Sequence, residues 1–188
     1  MCNPNALYYQ QMVTSPNAYW LNFFLKRDIN VLCWNYRGYG DSSIGFLETV
    51  SPYKCKRDAE YVMALLVNKL RVKGKIGVYG RSIGGLTACH LANKYDNIVQ
   101  CLILDRTFYE LFTVPESKLR GNSTTKRLFD ILSWKWRTRN HSNFVSTTNC
   151  YKIITCDPLD DTVDNFGNIA VGVSSLVASE DYNTKQYR

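Results

Sequence analysis

The pentapeptide Gly80-Arg81-Ser82-Ile83-Gly84 constrains this chain more than any other feature. The short apolar run Lys75-Ile76-Gly77-Val78-Tyr79 precedes it, and an apolar-rich stretch from Leu86 to Ala92 follows. That succession predicts a strand, a sharp turn and a helix, with Ser82 at the apex. A serine hydroxyl is a weak nucleophile. It needs to be held out of a sheet, within reach of a base and over N–H groups that stabilise an oxyanion. Gly80 and Gly84 flank Ser82 where a Cβ would collide with a neighbouring strand or helix, and Gly85 relieves crowding further. Glycine and serine are also common loop residues, so the bare pattern reads equally as a glycine turn. The strand before it and the helix after it make Ser82 a candidate nucleophile.

The chain has 188 residues, enough for one domain with a real core. Its hydrophobic fraction of 45% and charged fraction of 21% fit a soluble globular protein. No run approaches the roughly 18–20 apolar residues of a membrane span, and Met1-Cys2-Asn3-Pro4-Asn5 does not open a secretory signal. The seven cysteines (2, 33, 55, 89, 101, 150 and 156) lack C-x-x-C spacing, and several sit in apolar runs. They read as small buried hydrophobes in a reducing compartment, neither a disulfide frame nor a zinc site. No metal and no cofactor is expected, and the location expected is intracellular, either cytoplasmic or peripheral to a membrane.

The net charge of +7 gathers between residues 118 and 139, where Lys118, Arg120, Lys126, Arg127, Lys135, Arg137 and Arg139 alternate with Leu128, Phe129, Ile131, Leu132, Trp134 and Trp136. A basic, Trp-bearing segment of this kind suits an anionic membrane surface. It suits better a solvated helix whose apolar face closes over the domain. Nucleic acid is not expected, because no recognisable binding motif accompanies the charge.

Four short apolar runs, Asn30–Asn35, Lys75–Tyr79, Val99–Leu104 and Cys150–Thr155, read as buried parallel strands. Ser51-Pro52 reads as an N-cap and first helical position, opening a helix to about Leu70 with Tyr61, Val62, Leu65, Leu66 and Leu70 at helical spacings. A second helix should run from Ser82 to about Lys94. Strands alternating with helices predict an α/β protein with a mostly parallel sheet flanked by helices. Ligand sites in such sheets lie at the carboxyl ends of strands. Asn35 to Asp41, Ser82, Asp105-Arg106 and Asp157 to Asp161 all fall there. No repeat or linker divides the chain, so residues 1–188 read as a single domain. Residues 106–149 form a long insertion, either a cap over the cleft or packing material.

These segments resemble the α/β-hydrolase superfamily. Asn35-Tyr36-Arg37-Gly38-Tyr39-Gly40-Asp41-Ser42 is similar to the loop after the fourth strand of many such hydrolases, and Asp157-Pro158-Leu159-Asp160-Asp161-Thr162-Val163 to the acid turn after the seventh. A narrower resemblance, to the eukaryotic phosphatidylserine-lipase-like branch, rests on Cys2-Asn3-Pro4-Asn5-Ala6-Leu7-Tyr8-Tyr9-Gln10, on Tyr79 to Ala88 and on Ile103-Leu104-Asp105. The resemblance implies a serine hydrolase acting on lipid-like acyl esters. Ser82 would attack, Asn5 and Ile83 would donate backbone N–H groups to the oxyanion, and Asp160 would orient the base. Asp157 and Asp161 are the neighbouring alternatives to Asp160; aspartates beside Pro158 also serve ordinary turns. A depalmitoylating thioesterase and a non-catalytic binding module share much of the pattern.

The superfamily's triad runs Ser, Asp, His, yet the only histidines, His90 and His141, both precede Asp160. His90 falls a little over two helical turns past Ser82 and reads as a packed or surface residue; His141 lies in the insertion. Pro4 stands where the family has glycine, and proline fixes φ and removes an N–H, which argues for an altered oxyanion loop. The family's third strand would also precede Asn5. The expectation is a partial hydrolase domain, truncated at both ends, with little or no esterase activity.

Overall fold

Three parallel strands, β1 (Ile76–Arg81), β2 (Val99–Asp105) and β3 (Tyr151–Thr155), lie in the order β1-β2-β3. The computed structural model describes residues 1–4, 8–14, 18–42, 45, 49–110, 138, 140–156, 168–170 and 173. Short helices α1 (Tyr9–Met12) and α2 (Tyr19–Leu25) come first, then α3 (Pro52–Ala64), which runs on into a π-helical turn at Leu65–Lys69. Helix α4 (Gly84–Lys94) connects β1 to β2, and α5 (Asn140–Ser146) precedes β3.

The parallel sheet expected from the continuous apolar runs is present. Leu102 and Leu104 are fully buried in β2, and Val78 and Tyr79 are buried in β1. Helix α4 supplies the opposing face. Its residues Leu86, Ala88, Cys89, Leu91 and Ala92 are all buried, so this helix is apolar nearly all round and is packed between β1, β2, α3 and α5. The start of α3 also follows the sequence reading. Ser51 is extended and its side chain accepts a hydrogen bond from Lys54 N–H at 3.3 Å, while Pro52 occupies the first turn, where its missing N–H costs nothing.

Two expectations need correction. The buried stripe of α3 is Pro52, Cys55, Ala59 and Met63, not the Tyr61–Leu65 line; Tyr61 is 61% exposed and Leu70 57% exposed. Small residues win this face because α4 packs close against it, and bulky aromatics are left outside. The run Asn30–Asn35 is not a strand. Among the described residues, its carbonyls meet Met1 and Asn3: the Met1 amino group donates to Leu32 O at 2.7 Å and Asn3 Nδ2 to Trp34 O at 2.7 Å. A ladder needs a run of backbone partners, and the described residues offer this segment none.

All seven cysteines are free thiols. Cys2, Cys55 and Cys89 are buried, whereas Cys33 and Cys101, whose apolar runs predict burial, are only partly covered, and Cys156 is exposed. Burial pushes the Cys55 thiol up to about 11, so it stays protonated at neutral pH. Residues 111–137, the bulk of the basic aromatic stretch, lie outside the described residues. Of the expected insertion the structure describes Arg106–Glu110, Thr138 and residues 140–149, including α5.

Candidate active site

Ser82 sits between the end of β1 and the start of α4 with φ of 51°, in the left-handed region that non-glycine residues seldom adopt. Sheet and helix together hold it there. Ser82 N–H donates to Asp105 O at 3.0 Å, extending the β1–β2 ladder one residue past the strand. Ser82 O accepts from Gly85 N–H at 3.0 Å and from Thr107 Oγ1 at 2.9 Å. With both backbone groups engaged, the side chain is only partly covered. Backbone strain locked in by the surrounding structure and concentrated at one polar side chain is a mark of functional turns.

The close approach explains the glycines. A Cβ on Gly80 would lie 2.5 Å from Gly84 O and 2.6 Å from Ala88 Cβ, so strand and helix could not meet. A Cβ on Gly85 would overlap the Thr107 side chain that clamps Ser82 O.

The left-handed backbone supplies a direct test. Ser82→Gly relieves strain of about 1–2 kcal/mol against a smaller entropy cost of glycine in the unfolded chain. It should therefore be more stable than Ser82→Ala, which keeps the strained φ, by about 1 kcal/mol in urea denaturation. Equal midpoints for the two variants would argue against a strained turn.

Ile83 is the N-cap of α4, and its N–H donates to no acceptor among the described residues. A free N–H beside a raised serine, at the positive end of an eleven-residue helix, can receive a developing negative charge. Residues 2–4 reach the same place. Cys2 pairs in parallel with Gly80, with Cys2 N–H to Tyr79 O at 2.8 Å, and the first turn of α4 abuts the Cys2 and Asn3 carbonyls at Gly84. Asn5, the second oxyanion candidate, lies outside the described residues, as do Asp157, Asp160 and Asp161.

The Asn35–Ser42 loop is tied into this rim. Asn35 Oδ1 accepts from Tyr9 N–H at 2.7 Å, and Asn35 Nδ2 donates to Gln10 Oε1 at 3.0 Å. Gly38 and Gly40 take positive φ in the turn. Tyr36 is buried with its hydroxyl 2.8 Å from Thr87 Oγ1, and Thr87 in turn donates to Gly84 O at 2.9 Å. Arg37 grips Asp58 of α3, with Nη2 to Oδ1 at 2.6 Å and Nε to Oδ1 at 2.9 Å. The loop thus braces the helix that carries the elbow.

The sequence placed Asp105 at a strand end without giving it a role. Its buried carboxylate accepts from Tyr79 Oη at 2.7 Å, Arg106 Nε at 3.1 Å and Thr155 Oγ1 at 3.1 Å, with Arg81 Nε at 3.7 Å. Burial pushes the carboxyl up, but Arg106, Tyr79 and Arg81 outweigh it and hold the group below the usual carboxylate range. Spacing alone could not have revealed this cluster, whose members come from all three strands.

Neither histidine serves Ser82 in this arrangement. His90 Nε2 lies 2.6 Å from Glu60 Oε1 on α3, as expected of a packed residue, and burial keeps the imidazole below its ordinary value despite that carboxylate. His141 Nδ1 faces the Tyr109 carbonyl at 3.3 Å. Among the described residues, no hydrogen bond joins the Ser82 hydroxyl to a base. The described residues also hold no cluster of side chains suited to a metal ion.

A parallel sheet carrying a strained serine between strand and helix, over a free helix-terminal N–H, defines an α/β-hydrolase elbow. The chain belongs to the alpha/beta hydrolase fold family, whose profile matches residues 13–142. It is similar to an uncharacterised membrane protein of Saccharomyces cerevisiae, YNL320W, with 32% identity over 90 residues, or 47% of this chain and 30% of that protein. It is similar also to the protein bem46 of Schizosaccharomyces pombe, 36% identical over 86 residues, covering 46% of this chain and 28% of that one. YqkD, an uncharacterised protein of Bacillus subtilis, is 36% identical over 81 residues, 40% of this chain and 24% of that one. The matched segments therefore span less than a third of each of these relatives. No solved structure matches the chain.

Proposed function

We propose that the chain derives from a serine hydrolase of lipid-like acyl esters, similar to the phosphatidylserine-lipase-like branch. Ser82 attacks the ester carbonyl, Ile83 and Asn5 N–H groups hold the oxyanion, and Asp160 orients a base. The alcohol leaves with a proton, and water then releases the acid from the acyl-serine. The observation that carries this reading is the left-handed Ser82 at the junction of β1 and α4, beside an Ile83 N–H that meets no acceptor among the described residues. Each oxyanion donor contributes about 3 kcal/mol to the transition state in acyl transfer, so even a partly assembled site retains some catalysis.

Residues 1–188 carry no histidine after Asp160, and His90 is engaged by Glu60. The proposal is therefore that this stretch of chain turns over very slowly. Purified residues 1–188 should hydrolyse p-nitrophenyl butyrate barely above background and label weakly with a fluorophosphonate probe, all labelling being lost in Ser82→Ala. Brisk turnover that Ser82→Ala abolishes would overturn the impairment. Labelling undiminished in Ser82→Ala would overturn Ser82 as nucleophile.

A binding role is the second reading, favoured by the engagement of His90 away from Ser82. Among the described residues no helix is long and apolar enough to cross a membrane. The yeast relative is called a membrane protein, and the cationic, tryptophan-bearing residues 118–139 suit an anionic bilayer surface. A non-catalytic module would be silent to the probe yet sediment with phosphatidylserine vesicles. An acyl-protein thioesterase would use the same Ser82 chemistry on a thioester and differ only in substrate.

A further inference from the structure

Helix α3 turns aromatic and apolar side chains outward, where a solvated helix would carry short polar ones. Its buried stripe, Pro52, Cys55, Ala59 and Met63, leads inward, and Ala59 and Met63 join the core that Val78 and Leu91 share. At about 3.6 residues per turn, Arg57 and Tyr61 fall opposite that stripe, with Tyr53 and Leu65 on either flank. Tyr53 is 66% exposed, and Tyr61, Leu65 and Leu70 are exposed too. The π-helical turn sets Leu70 one turn beyond Leu65, with Leu70 N–H on Leu65 O at 2.9 Å. This outer face points away from the sheet, so a strand joined to either sheet edge would not cover it.

The charge on the outer face is one-sided. Asp58 is held by Arg37, and Glu60 by His90 and Lys94, so neighbours take up both acids of α3. Arg57 meets no carboxylate among the described residues. Its Nη2 donates to Tyr61 Oη at 3.1 Å, and its guanidinium carbon lies 5.9 Å from the Tyr61 ring centre. Each side chain braces the other, which lowers the entropy lost when a partner orders them. Exposed cations at Lys69, Arg71 and Lys73 complement the carboxyl end of the helix dipole. Arg57 sits mid-helix, where the dipole offers it nothing.

Tyrosine and arginine are the residue types that anchor protein interfaces. A helix that lies on a bilayer would instead sink a broad Leu, Phe or Trp face between flanking cations. A second copy of the chain would bring these cations against one another across a two-fold axis. Single-stranded nucleic acid takes grooves, whereas a lone helix is convex. The i, i+4 row Tyr53, Arg57, Tyr61 and Leu65 forms a ridge, the shape that the grooves of another helix accept. We infer that the outer face of α3 docks an acidic amphipathic helix of another protein, with its carboxylates on Arg57 and its leucines against Tyr53, Tyr61 and Leu65. One helix face buries less than a standard interface, so the contact is transient. It does not rest on the catalytic reading.

The test uses residues 1–188 and the fluorescein-labelled peptide Glu-Leu-Ala-Glu-Leu-Leu-Glu-Glu-Leu-Ala-Glu-Leu-Leu, followed by fluorescence anisotropy. Saturable binding in the micromolar range is expected. Arg57→Ala and Tyr61→Ala should each weaken it about tenfold, the effect of losing an interface anchor. The far-UV spectrum should not change, because both side chains are exposed. Lys26→Ala removes an exposed cation from α2 and should leave binding as it was. The native chain should prefer this peptide to its counterpart with lysine for glutamate, and Arg57→Glu should cut that preference at least about tenfold. Absence of saturable binding overturns the proposal. So does binding that Arg57→Ala and Tyr61→Ala leave intact, or that Lys26→Ala weakens as much. Arg57-dependent binding of phosphatidylserine vesicles or oligothymidylate in place of the peptide overturns it too, as does self-association abolished by Tyr61→Ala with no peptide binding.

Discussion

Asp105→Ala should lower the stability of the chain by about 3–5 kcal/mol, the cost of removing one partner from a buried charged network. The carboxylate is 4% exposed and receives Tyr79 Oη, Arg106 Nε and Thr155 Oγ1, with Arg81 alongside. Alanine leaves the buried Tyr79 hydroxyl without its acceptor and removes one partner of the Arg106 guanidinium. Asp105 O also holds Ser82 N–H, so loosening the end of β2 should loosen the elbow as well. The measurement is a urea midpoint, which should fall sharply with little change in slope. An unmoved midpoint would mean that the network contributes nothing.

The same carboxylate gives a pH signature. Its folded value lies below its ordinary one, so the stabilisation is fully present above the unfolded value of about 3.9 and is lost as pH falls through the lower folded value. The native chain should therefore lose stability as pH falls below about 4 more steeply than Asp105→Asn, which has no charge there to lose.

Gly84→Ala is the second large effect. The added methyl would overlap the Cys2 carbonyl oxygen and lie 2.7 Å from Asn3 O. Both neighbours are backbone and cannot swing aside as a side chain would. Either α4 retreats from residues 2–3 or the Cys2–Gly80 pairing breaks. The upper end of the overpacking range applies, about 3 kcal/mol, equivalent to a fall in Tm of about 6–12 °C for a domain of this size. A thermal midpoint within about 1 °C of the native chain would show that residues 2–3 are not held against α4. Gly77→Ala is the fitting control, because a Cβ there would meet only Cys101 at 3.6 Å, an ordinary contact.

Much of the fold was legible because the signals are local. Three of the four apolar runs became the sheet, within a residue or two of their expected ends, but β3, expected to be buried, leaves Tyr151, Lys152 and Ile153 exposed. Ser51-Pro52 started α3 and Gly84 to Lys94 formed α4 for reasons contained within a few residues. Asn30–Asn35 failed because a strand is defined by its partner, which composition cannot supply. The α3 face failed because helical spacing gives the possible stripes, while the neighbour's closeness selects small side chains over Tyr61 and Leu65.

What the amino-acid order determined alone was the elbow. Glycines at 80, 84 and 85 permit a strand and a helix to close on Ser82, and no other common residue leaves the room. What only the tertiary structure decided was which groups answer one another there: Thr107 clamps the serine carbonyl, Asp105 gathers cations and hydroxyls from separate strands, and Glu60 takes His90. The physical reason is range. Steric permission is written into adjacent residues, whereas a hydrogen-bonding partner from another strand or helix exists only once the chain has packed.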